Sequence, residues 1–135
     1  MFILGLDFGT KNIGVAIGQK VTKTANALHP IKANQGIPNW NSIKSILVEW
    51  QPSLIIIGNP LNINGSKQKI TKKVETFANS IFKIFHIPIV LHDERLSTIE
   101  AKSFLFNTYG YRSLSKKNID SFSAVMILES WLDSL

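Results

Sequence analysis

The chain opens on a nearly unbroken apolar run, Phe2 to Leu6, which predicts a strand buried on both faces. Gly9-Thr10 is a turn signal and Ile13 to Ile17 a second short strand, so the first segment reads as a hairpin. A third strand is expected around Ala27 to Ile31. Lys32 to Pro38, broken by Gly36 and Pro38, reads as a loop. Trp40, Ile43, Leu47 and Trp50 recur at helical spacing and predict an amphipathic helix that stops before Pro52. Leu54 to Ile57 is another continuous apolar strand, closed by Gly58-Asn59-Pro60. Asn64-Gly65 makes a turn, and Ser66 is expected to cap a helix whose apolar stripe is Ile70, Val74, Phe77 and Ile81. Ile87 to Leu91 predicts a further strand. Ser97 or Thr98 caps a helix through Phe106, with Glu100 in its first turn. Asn107 to Lys117 is a polar, basic loop, and a last helix runs from about Asn118 to Leu132. A hairpin-like set of strands followed by alternating helix and strand predicts an α/β fold. Its mixed central sheet has about five strands flanked by helices, in one domain spanning 1–135.

Composition narrows the classes. The chain's 135 residues suffice for one buried core, and its 44% hydrophobic and 18% charged residues are those of a globular protein. No apolar run approaches the ~20 residues of a membrane span. The N-terminal MFILGLDFGT lacks a basic leader and a cleavage site. Cysteine is absent, which excludes disulfides and thiolate metal sites and makes the cytoplasm the expected compartment. Fifteen basic against nine acidic residues give a net charge of +6, which favours polyanionic partners such as nucleic acid.

Acids stand at three places where acids are uncomfortable. Asp7 ends the most apolar strand, Asp93 and Glu94 follow Ile89, Val90 and Leu91 with only His92 between, and Asp120 opens a helix rich in apolar residues. A carboxylate at a core edge is costly unless it is paired, hydrogen-bonded or bound to a cation. In α/β sheets ligands bind beyond the carboxyl ends of the strands. Clustered carboxylates repel one another, and a hard oxygen-seeking cation relieves the repulsion. Blander roles stay open: Asp7 as turn residue, Asp120 as helix-dipole partner, Glu94 as ion-pair partner of Arg95 or a surface lysine.

GLDFGTKNIGVA (Gly5 to Ala16), IIIGNPLNINGS (Ile55 to Ser66), LHDERLST (Leu91 to Thr98) and NIDSFSAVMILESWL (Asn118 to Leu132) resemble, in order and across essentially the whole chain, the YqgF family. These are Holliday junction resolvase-like proteins, also described as pre-16S rRNA nucleases. The resemblance implies a ribonuclease-H-like fold and a divalent-metal-dependent endonuclease. Its catalytic and metal-holding acids would be Asp7, Glu94 and Asp120, binding Mg²⁺ or Mn²⁺. Maturation of the 5′ end of precursor small-subunit rRNA in ribosome biogenesis is the implied role. Junction resolution, or RNA binding without catalysis as a ribosome-assembly factor, are the alternatives. The family motif favours Glu94 over Asp93 as middle ligand, leaving Asp93 as its partner or as a cap for the next helix. Asn59 stands where the family more often has an apolar residue. Larger junction resolvases carry another acid one helical turn after the last-helix aspartate, where this chain offers Ser123.

Lys11, Arg95, Arg112, Lys116 and Lys117 are the candidate phosphate contacts, being close in sequence to the acids; Lys11 reads equally as a solvated hairpin lysine and Arg95 equally as a structural ion-pair partner. Tyr109 and Tyr111 could stack on bases or simply pin their loop. The cluster Lys67, Lys69, Lys72 and Lys73 reads as a solvated helix face. The expected partners are precursor rRNA, structured DNA as alternative, and the ribosomal subunit, with no membrane. A monomer or weak dimer is expected, since no exposed apolar stripe announces a symmetric dimer. The Asp7-Phe8-Gly9-Thr10 turn also fits the phosphate cradle of actin-like and sugar-kinase-like proteins. Those need two lobes, and Glu94 and Asp120 would go unexplained.

Overall fold

A computed structural model of the chain describes residues 1–94 and 116–135, the side chains of 116–120 excepted. The predicted helix from Ser97 or Thr98 to Phe106 and the loop residues Asn107 to Ser115, with Tyr109, Tyr111 and Arg112, lie outside the described residues, as does Arg95.

Six strands form one mixed sheet in the order β4-β3-β2-β1-β5-β6, one more than the pattern predicted. They are β1 (Phe2–Asp7), β2 (Asn12–Gln19), β3 (Thr24–Asn34), β4 (Ile37–Pro38), β5 (Leu54–Asn59) and β6 (Ile89–Asp93). The first four pair antiparallel in succession, and β5 and β6 add on parallel beside β1. Three helices cover the sheet among the described residues: α1 (Trp40–Trp50), α2 (Lys69–Phe85) and α3 (Lys116–Asp133).

Side chains alternate across a strand, so β1, β2 and β5 each feed two cores. Leu4, Leu6, Val15, Ile55 and Ile57 pack with Ile43 and Leu47 of α1 and Val74, Phe77 and Ile81 of α2. Ile3, Ala16 and Ile56 meet Ala124, Ile127, Leu128 and Leu132 of α3 on the other face. β1 and β5 are therefore covered on both sides, which is why they read as continuous apolar runs. Gly5 lets α3 approach closely: a Cβ there would lie 3.0 Å from Leu128 Cβ and 3.2 Å from the Ala124 carbonyl. Trp40 and Trp50 pack against the first core and Trp131 against the second, as structural residues.

Several boundaries differ from the sequence reading. β3 runs from Thr24 to Asn34, and what reads as a loop after Ile31 turns at Gly36 (φ 83°) and returns as β4. β6 begins at Ile89, two residues later than predicted, because Pro88 cannot donate to the ladder. α3 begins at Lys116, so Lys116 and Lys117 belong to its first turn and not to the preceding loop. Ser66 does not cap α2. Asn64 captures it, accepting from the Ser66 N–H at 2.9 Å and its hydroxyl at 2.7 Å around the Asn-Gly turn. The cap is Gln68, whose N–H donates to Thr71 Oγ1 at 2.9 Å; the buried Thr71 hydroxyl in turn donates to the Pro60 carbonyl.

Candidate functional site

β1, β5 and β6 run parallel, so their carboxyl ends share one edge of the sheet. Leu6 is level with Ile57, which brings Asp7 level with Gly58, and Gly58 pairs with His92. Asp7 follows Ile3 and Gly5 at two-residue steps, which puts it on the α3 face of β1. Asp7 is half-buried, as expected of an acid at the rim of a core.

Glu94 follows β6, two residues after His92. Its carboxylate folds back over the neighbouring strand: a Cβ placed on Gly58 would lie 2.8 Å from Glu94 Oε1 and 3.1 Å from Glu94 Cδ. The same Cβ would fall 2.5 Å from Ile127 Cδ1 of α3, so the Glu94 carboxylate lies on the α3 face. It sits over β5, whose axis is about 4.8 Å from that of β1. The sheet thus brings Asp7 and Glu94 to one face and one edge. Asp93 pairs with Asn59 and, one residue from Glu94, faces the other way on an alternating strand.

His92 is buried on this same α3 face, with Nε2 2.9 Å from Ser130 Oγ. Burial pulls its pKa below the ordinary imidazole value, with the Asp93 carboxylate pulling weakly the other way. The ring ties the end of β6 to α3 and supports the strand that carries Glu94.

α3 supplies the third predicted acid. Asp120 lies in its first turns, one turn before Ala124, and Ala124 packs on Gly5. Its side chain lies outside the described residues, so no group of three candidate ligands can be traced among those described. Next to it, Ser121 is fully buried and wedged into the sheet. Its Oγ accepts from the Val15 N–H at 3.0 Å and donates to the Leu28 carbonyl at 2.7 Å. The β2–β3 register shifts there, between Ile13 and Val15, so the hydroxyl fills a gap in the ladder. This anchor fixes the start of α3 beside the acid edge, since Val15 pairs with Leu6.

Lys11 is exposed in the β1–β2 turn at the same edge, and its carbonyl accepts from the Ala33 N–H at 2.8 Å. Arg95 and Arg112 lie outside the described residues, as does the side chain of Lys116. Asn59 ends β5, and its Oδ1 is buried with no hydrogen-bond partner among the described residues.

Gly58 and Ser121 escape a sequence reading for different reasons. Gly58 looks like the end of a strand, yet β5 continues through it to Asn59. A glycine interrupting a run of isoleucines is the signal that something bulky crosses there. Ser121 gives no signal, because only the tertiary register opens the gap it fills.

The donor set suits a hard divalent cation: the oxygens of Asp7 and Glu94 are carboxylate oxygens, and the absence of a Cβ at Gly58 lets Glu94 lie over β5.

A family model described as RuvX, Holliday junction resolvase, matches residues 1–134. A Buchnera aphidicola protein named "Putative pre-16S rRNA nuclease" is 56% identical over 131 residues, covering 97% of this chain and 96% of its own. A Photobacterium profundum protein of the same name is 57% identical over 132 residues, covering 97% and 93%. Among solved structures, Thermus thermophilus RuvC in complex with a Holliday junction substrate superposes with a TM-score of 0.59 at 12% identity, over 96% of this chain and 91% of that one. At that identity the likeness speaks for the fold alone, which is ribonuclease-H-like.

Proposed function

The chain belongs to the RuvX family of Holliday junction resolvases, and from that membership we propose that it is a metal-dependent endonuclease that trims the 5′ end of precursor 16S rRNA. The rRNA substrate is taken from relatives more than half identical to this chain over nearly its whole length. The observation that carries the chemistry is the fold-back of Glu94 over Gly58, onto the face and edge that hold Asp7.

In this reading Asp7, Glu94 and Asp120 hold Mg²⁺ or Mn²⁺. Such an ion, when bound, activates a water and stabilises the oxygen leaving the phosphodiester. The chain's own residues do the rest. Asp7 and Glu94 present carboxylate oxygens at the strand ends. Ser121 holds the start of α3 against that edge, and His92 braces β6 through Ser130. Lys11, with Arg95, Arg112 and Lys116, offers positive charge to substrate phosphates.

The test is cleavage of a precursor small-subunit rRNA end fragment and a four-way DNA junction, side by side, with Mg²⁺ or Mn²⁺. Asp7→Asn and Asp120→Asn should each lose at least about a hundredfold in rate while keeping wild-type circular dichroism. Metal-dependent RNA cleavage lost in both variants supports the reading. Cleavage of the junction alone would replace rRNA processing by resolution, and full activity of either variant would sink the site.

A further inference from the structure

On the opposite face of the sheet, a cleft of about 340 Å³ opens between α2 and the β3–β4 turn. Its volume falls at the small end of the ~300–1,000 Å³ typical of ligand sites. Its floor is aromatic: Phe8 and Trp40 both pack on Phe77, with ring centroids 5.0 and 6.5 Å away. Ile37, 66% exposed, forms an apolar lip. Lys72 and Lys73 stand on the α2 wall, both exposed. Lys67, from the same basic cluster, is taken by Glu75 at 2.9 Å; Lys72 and Lys73 have no carboxylate partner among the described residues.

The cleft lies at the same sheet edge as the acids. Phe8 directly follows Asp7, and the Gly36 N–H donates to the Thr10 carbonyl at 3.0 Å, tying the β3–β4 turn to the β1–β2 turn. Asp7 and the cleft therefore sit on either side of one turn, Phe8 to Lys11, in which Lys11 is exposed. A chain of phosphates crossing that turn would meet carboxylates on one side and an aromatic, lysine-walled cleft on the other.

We propose that this cleft is a subsite for a single-stranded nucleotide flanking the scissile phosphate, its base against the aromatic floor and its phosphate on Lys72 and Lys73. The proposal rests on the nucleic-acid substrate proposed above. Bases stack on aromatic side chains without regard to sequence, and unpaired lysines supply the counter-charge. Paired nucleic acid cannot enter, because its bases are already stacked. The subsite thus selects substrates with an unpaired segment next to the cut.

The experiment measures binding of a fluorescein-labelled single-stranded RNA twelve-mer by anisotropy in EDTA, where no metal-dependent cleavage occurs. The charge reversal Lys72→Glu/Lys73→Glu is compared with Lys44→Glu/Lys83→Glu, an equal change of charge on exposed lysines outside the cleft. The cleft variant should bind about tenfold more weakly and the control less than twofold. The salt dependence of log K should flatten by about 1.4 in the cleft variant, ~0.7 for each single-strand phosphate that no longer meets a lysine. Ile37→Ser, an uncharged change at an exposed position, should weaken binding without changing that slope. Photo-crosslinking of a 4-thiouridine oligomer should label peptides holding Phe8 or Ile37 to Trp40. Equal weakening by both double variants, or crosslinks confined to other peptides, overturns the subsite. Cleavage with metal is read in parallel. RNA cleavage that persists without cleft-dependent binding removes the subsite and keeps the nuclease. Cleft-dependent binding without cleavage does the reverse.

Discussion

Gly58 is the residue on which the acid edge turns. It has no Cβ because the space is filled by Glu94 and Ile127. Gly58→Ala should cost about 1–3 kcal/mol of stability, the usual penalty of overpacking, and displace Glu94 from Asp7. Urea unfolding and metal affinity read the two effects separately; unchanged metal affinity with lower stability would mean that Glu94 is held elsewhere. Glu129, half-buried on α3, is a second residue with a testable charge. Burial, and then the Asp133 carboxylate, push its pKa above the ordinary glutamate value of 4.5. The folded state therefore holds its proton more tightly than the unfolded one. No penalty exists below the unfolded pKa, and the penalty grows as pH rises from there through the folded pKa. Glu129→Gln should accordingly stabilise the protein at pH 7 and not at pH 4. An equal gain at both, measured by denaturant titration, would refute the assignment to charge.

At the scale of elements, the join between α3 and the sheet rests on one hydroxyl. Ser121→Ala leaves the Val15 N–H and the Leu28 carbonyl without that bridge and should cost about 1–3 kcal/mol. Hydrogen exchange at the Val15 amide should accelerate even though alanine raises helix propensity; an amide that stays protected would refute the bridge. What sequence periodicity could and could not reveal follows the same division. The stripes Ile43, Leu47 and Val74, Phe77, Ile81 are legible because each helix buries one face only. Of the β3–β4 ribbon only Ala27 to Ile31 reads as a strand; its continuation to Asn34 and its return as β4 depend on the turn at Gly36. Ser66 misleads because its hydroxyl serves a local turn with Asn64 before any helix begins. At the acid edge, Asp7 and Glu94 are legible as acids closing apolar strands. The fold-back that joins them is not, since it depends on the neighbouring strand.

Across the whole molecule, the sheet separates two chemistries that share one end: acids under α3, aromatic rings and lysines beside α2. No helix among the described residues is long and apolar enough to cross a membrane. Lys67 is paired with Glu75, while Lys11, Lys72 and Lys73 face solvent near the working edge. The position of α3 in chain order has a consequence in time. Strands β1, β2 and β5 are made early, yet the face that carries Asp7 is roofed by the helix that begins only at Lys116. Because synthesis proceeds from the N-terminus at ~5–20 residues per second, Ile3, Ala16 and Ile56 wait several seconds for their cover. During that interval the growing chain has an uncovered apolar sheet and lacks Asp120, so in this reading it cannot cut RNA while its own ribosome is still translating the strands.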